Sequence, residues 1–139
     1  MQVKQREIKF RAWIGEHKKI YDVNHIVFNA GEVRGIRATW IKSETNKKYI
    51  YNFSMKQFVL MQFTGLHDKN GKEIYEGDIL EWDAKDDNGK KVITDVRFEK
   101  GAFVDDDVEN EPIGSWNIEK EVLGNVWENP ELLGKGGDK

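Results

Sequence analysis

A chain of 139 residues is the size of one domain, or of one domain with a small appended subdomain, and is long enough to bury a real core. Charged residues make up 34% and the mean hydropathy is −0.73, and no apolar run approaches the roughly 20 residues that span a bilayer, so membrane insertion is set aside. A net charge of −3 lacks the basic excess of a dedicated duplex binder, and with no cysteine there are no disulfides, thiolate metal sites or cysteine nucleophile.

Met1 to Glu7 carries charge with no apolar h-region behind it, which is not a secretory signal, and an intracellular protein is expected. From Arg6 to Trp13, apolar Ile8, Phe10 and Ala12 alternate with Glu7, Lys9 and Arg11, the period of a strand with one buried face. Gly15 to Lys19 is a polar turn after which Ile20 to Val23 pairs back, and a turn at Asn29-Ala30-Gly31 separates Ile26–Phe28 from Val33–Trp40. Beyond the polar loop Ser43–Lys48, Tyr49–Tyr51 is extended, and Ser54 is placed to cap one helical turn over Met55–Phe58.

Asn70-Gly71 lies between two apolar-bearing arms and suggests a two-residue type I′ hairpin, because both residues tolerate positive φ. Glu76-Gly77-Asp78 turns the chain into Ile79–Trp82, and Asp86 to Gly89 is a second hairpin signal before the strand Val92–Phe98. Ala102–Val104 and Val122–Trp127 complete the strands, while Lys135 to Lys139 is too polar and glycine-rich to order itself. Short strands at intervals of about 8–12 residues, with turns between them, define a mainly β fold of barrel or sandwich type.

Three segments, Arg6 to Trp13, Leu60 to Leu80 and Val122 to Leu133, resemble the YopX family of small phage and prophage proteins. The resemblance implies small antiparallel sheets, with an N-terminal β subdomain over 1–59 that mediates self-association and an SH3-like C-terminal barrel over 60–133. A disordered tail over 134–139 follows from the composition. The resemblance brings no catalytic residues with it.

The residues themselves offer little reactive chemistry. His17, His25 and His67 lack the i, i+4 spacing of helical metal sites. His67-Asp68 pairs an imidazole with a carboxylate in sequence, but neighbours on a strand face opposite ways. Asp83, Asp86, Asp87 and Asn88-Gly89 have the composition of a calcium loop without its ligand order. Asp105, Asp106 and Asp107 with Glu109 and Glu111 could gather around a divalent cation if partners converged from another strand; otherwise they form a solvated loop. None of Ser43, Ser54 and Ser115 sits in a nucleophile elbow, and no phosphate-binding glycine loop occurs.

Five tryptophans remain. Trp82 and Trp127 lie among apolar strand residues and are expected in the core, whereas Trp116 follows Gly114-Ser115 and is expected at the surface. An exposed aromatic beside a basic stripe containing Lys9, Arg11, Arg34 or Arg37 could stack bases while neutralising phosphates. The residues lead to the expectation of a non-catalytic binding or assembly module, and the resemblance implies that it is phage- or prophage-encoded. It is expected to be cytoplasmic in a bacterial host and homo-oligomeric, with a host or phage protein or a nucleic acid as partner, and with no cofactor, metal ligand or catalytic residue assigned. A single-stranded nucleic-acid binder and a small metal-dependent hydrolase centred on Asp105 to Glu111 are the alternatives.

Overall fold

Alternation of apolar and polar side chains from Phe10 onward gives an antiparallel meander. The computed structural model describes residues 4–105, 112–114 and 118–137, and the chain divides into two compact units, Ile8–Gln62 and Phe63–Lys139 with Met1–Glu7. The fold is mainly β, made of small antiparallel sheets.

In the first unit, β1 (Phe10–Ile14), β2 (Lys19–Asn29), β3 (Glu32–Lys42), β4 (Lys47–Ser54) and the leading half of β5 (Val59–His67) lie in the order β4-β3-β2-β1-β5. The registers Ala12↔Tyr21, Val23↔Ala38 and Ala38↔Tyr51 place these residues on one face. That face carries the core of Ala12, Ile14, Tyr21, Ile36, Ala38 and Phe53. Chain reach requires the ladder to curl around it. Ser54 is level with Gly35 and Val27, and Val59 with Trp13 and Ile20, so in a flat sheet the two ends would be about 30 Å apart. The linking residues span at most about 18 Å.

Ile20–Val23 and Ile26–Phe28, expected as separate strands, are one strand that bulges at Asn24, whose side-chain carbonyl accepts from the Thr39 hydroxyl. Between β2 and β3, Ala30 (φ 54°) and Gly31 (φ 82°) are both left-handed, which makes this reversal a type I′ turn. Residues 55–57 form a turn without a helix. Ser54 donates both its N–H and its hydroxyl to Gln57 Oε1, so the glutamine caps the serine rather than the reverse.

In the second unit, the trailing half of β5 pairs with β6 (Glu73–Tyr75), and β7 (Asp78–Lys85) is the centre of a β11-β7-β8 sheet with β8 (Lys91–Asp95) and β11 (Lys120–Asn125). The expected strand Val92–Phe98 breaks at Val96. The Val96 N–H bonds the Asp78 carbonyl and its carbonyl accepts from Gly77, so the chain leaves one sheet and re-forms as β9 (Arg97–Glu99) hairpinned to β10 (Ala102–Val104). Ile74, Leu80 and Val96 are the core here, with Ile113 and Val122 against them. Among the described residues no barrel closes, because the ladders β11-β7-β8 and β9-β10 stay separate.

After Pro130, a short helix α1 (Glu131–Gly137) lies against β8 and continues into the stretch expected to fray. Among the described residues no helix is long and apolar enough to cross a membrane.

Candidate functional site

The most informative polar residues of the second unit are Asp68, Asp78 and Asn125, and each is spent on the main chain. Asp68 opens the loop Asp68-Lys69-Asn70-Gly71-Lys72. Asn70 keeps a negative φ while Gly71 sits at φ 84°, so the loop is a type I turn closed by a left-handed glycine rather than the expected type I′. The cause is the aspartate: Asp68 Oδ1 accepts from Asn70 N and Lys72 N, both at 2.9 Å. The loop Asp86-Asp87-Asn88-Gly89-Lys90 repeats this arrangement, with Asp86 Oδ1 accepting from Asn88 N at 2.8 Å and Lys90 N at 3.0 Å. Its carboxylates therefore close a turn, not a calcium loop.

The two loops differ in one respect. Asp68 Oδ2 also accepts from Val122 N at 3.0 Å, on β11, and Lys69 N donates to the Lys120 carbonyl at 2.9 Å. Burial raises the Asp68 carboxyl, but the backbone donors of Val122, Lys72 and Asn70, with the Lys72 charge, outweigh it and hold the group below its ordinary value. Asp78, 1% exposed, accepts from Tyr75 N at 2.8 Å. Asn125 Oδ1 accepts from Trp127 N and Glu128 N, its Nδ2 donates to Glu128 Oε1, and Asn129 Oδ1 accepts from Asn125 N.

A cleft of about 280 Å³ opens beside the Asp68 loop. At its edge β5 bulges between Phe63 and His67: Thr64 Oγ1 donates to the Ile74 carbonyl and accepts from Leu66 N, and Gly65 takes φ 90°. Leu66, Ile74 and Ile113 contribute apolar lining, and His67, Lys69 and Glu119 contribute polar groups. His67 is exposed and meets Phe63 edge to face at 5.6 Å, whereas Asp68 faces the backbone donors. Sequence neighbours here do not form an acid–base pair.

Asp105 is not in a solvated loop. It is 1% exposed and its Oδ2 takes the Lys120 ammonium at 2.7 Å; that Nζ lies 4.0 Å from the centroid of Trp82, whose Nε1 donates to Thr94 Oγ1. Asp106 to Glu111, Ser115 and Trp116 lie outside the described residues. Trp82 is buried as expected, at 8%. Trp127 is 38% exposed, a correction whose cause is that β11 ends at Asn125, which turns the chain before the indole can enter the sheet.

Of the residues expected in a basic stripe, Arg11 and Arg37 share the ladder face opposite Ala12 and Ala38, through the registers Arg11↔Asp22 and Asp22↔Thr39. Arg34 is the extra residue of a β2–β3 bulge, bonded to Glu32 at 2.6 Å and to the Met55 sulfur, while Arg37 donates to Oδ1 of Asn52, its cross-strand partner. His17 closes the core end of the first unit, with Nδ1 2.6 Å from Tyr21 Oη and edge contacts to Tyr51 and Phe53. Burial, and then the neighbouring Tyr51, raise the Tyr21 phenol above its usual value.

Fold and site together describe a mainly β protein of small antiparallel sheets whose turn carboxylates and amides brace its strands. The YopX protein family model matches residues 9–134, and the chain belongs to that family. Protein EF1440 from Enterococcus faecalis is similar at 30% identity and TM-score 0.68, over 93% of this chain and 99% of that one. Protein yopX from Bacillus subtilis shares the fold at 23% identity and TM-score 0.61, over 94% and 98%. No curated protein matches the chain.

Proposed function

We propose that the chain is a phage- or prophage-encoded binding or assembly module that works without catalysis in the cytoplasm of a bacterial host and self-associates. One observation carries this reading: Asp68, Asp78, Asn125 and the Asp105–Lys120 pair lie buried, the side-chain oxygens of the first three accept from main-chain N–H groups, and the last two bond each other. Such groups position strands and are not free to move protons on a substrate. Self-association draws support from β4, which pairs only with β3 among the described residues, and from exposed Ile41, Ile50, Val27 and Phe28 on the same ladder. Sedimentation equilibrium of the purified protein, with capture from prophage-induced cells, tests the reading. A stable oligomer that retains a partner in fixed proportion is expected; a monomer that retains nothing would overturn it.

A further inference from the structure

We infer that the end of the first unit formed by the β1–β2 and β3–β4 turns is a platform for single-stranded nucleic acid. The inference rests on the binding-module reading and names its partner. β1 to β4 run alternately up and down, so residues 15–18 and 43–46 reverse at the same end of the ladder. Register places Lys19, Trp40, Lys42, Lys47 and Tyr49 on the same face as Ala12 and Ala38. Trp40 and Tyr49 are half-buried and stack at 5.5 Å between centroids and 29° between planes. The Lys19 ammonium lies 3.6 Å from the Trp40 centroid and that of Lys47 5.3 Å from the Tyr49 centroid. Lys18 and Lys48 flank the same turns.

The charge at this end is unusual for the molecule. Lys42 and Lys47 face each other directly across the strands, a like-charge pairing that opposes folding. Among the described residues none of Lys18, Lys19, Lys42, Lys47 and Lys48 forms an ion pair, whereas Arg34, Lys69, Lys91, Arg97 and Lys120 all do. Lys91 also faces a lysine, Lys85, but bridges to Glu81 at 3.5 Å. A cationic end, with Lys18, Lys19, Lys42, Lys47 and Lys48 outnumbering Glu16 and Glu44 of the same two turns and set around two stacked aromatic rings, complements a chain of phosphates with planar bases. Duplex fits poorly, since its bases are already stacked and the whole chain is net acidic.

Three to five phosphate contacts on a single strand give a salt slope of about −2 to −3.5, or a loss of about 16- to 130-fold between 50 and 200 mM salt. A fluorescein-labelled 12-mer of thymidylate, titrated by anisotropy at both salts with the full-length protein, reads this directly. The wild type is expected to bind it about tenfold or more tightly than a 12-mer of abasic sites, and more tightly than a duplex. K42S/K47S should bind at least tenfold more weakly at 50 mM salt with a slope reduced by about 1.4, while K85S/K90S in the second unit leaves both unchanged. No binding at 50 mM salt, equal binding of the abasic strand or of duplex, or an equal loss in K85S/K90S would overturn the inference. Sedimentation of the same samples separates the two readings, since an oligomer that ignores the oligonucleotide removes the platform and leaves the assembly reading standing.

Discussion

The sister loops at Asp68 and Asp86 provide an internal control for what holds the second unit together. Asp68→Asn keeps a side-chain oxygen to accept from Asn70 N and Lys72 N, but turns an amide NH₂ toward Val122 N, where two donors now face each other. Losing a charge-assisted bond and leaving a part-buried N–H unsatisfied costs about 1.5–3 kcal/mol. In a chain of this length that lowers Tm by roughly 5–10 °C. Asp86→Asn preserves the same two turn bonds in an exposed loop and should stay within about 0.5 kcal/mol of wild type. Thermal and urea melts at pH 7 measure both. The Asp68 carboxyl is held below its ordinary value, so its stabilisation is full above the unfolded value of about 3.9 and is lost as pH falls through the lower folded value. The gap between wild type and Asp68→Asn should therefore narrow in acid. Equal costs in the two loops, or a neutral Asp68→Asn, would refute the assignment of Asp68 as a brace to β11.

The buried Asp105–Lys120 pair predicts that Lys120→Ala destabilises by about 3–5 kcal/mol in urea titration, because it strands a carboxylate that is 1% exposed, while Asp105→Leu/Lys120→Met recovers most of the loss. Gly124→Ala puts a methyl group onto the Asn129 side chain that caps Asn125 N, and should lower the urea midpoint by the equivalent of about 1–3 kcal/mol. The raised Tyr21 phenol should titrate late in ultraviolet absorbance. Since the folded state then holds its proton longer than the unfolded one, stability should fall as pH rises past the unfolded value of about 10, and Tyr21→Phe should remove that part of the decline.

Much of the ladder was legible because alternation and turn composition are local. Asn29-Ala30-Gly31 and the two Asn-Gly loops marked reversals, and the strands between them formed. The type of turn was not legible from Asn70-Gly71 alone: an aspartate two residues earlier captures the backbone and leaves just the glycine left-handed. Bulges are a second feature that local sequence does not mark. The extra residues at Asn24 and Arg34 change which side chains share a face, and alternation alone does not reveal where they fall. Asp105 reads as the start of a charge run because its partner, Lys120, is fifteen residues away. The lysine cluster around Trp40 and Tyr49 is hidden in the sequence for the same reason. One signal was available, in lysines on both arms of the Ser43–Asn46 turn beside Trp40 and Tyr49, but Lys19 reaches Trp40 only through the register of two strand pairs.

The proposed function has this chain bind a partner without transforming it. Sequencing and mass spectrometry of material retained from prophage-induced cells by the wild type, compared with K42S/K47S, test it most directly. The expected result is single-stranded nucleic acid recovered intact with the wild type and depleted with the lysine variant, while any protein partner is retained by both. Recovery of cleaved or otherwise chemically altered nucleic acid, in amounts that grow with time, would contradict it.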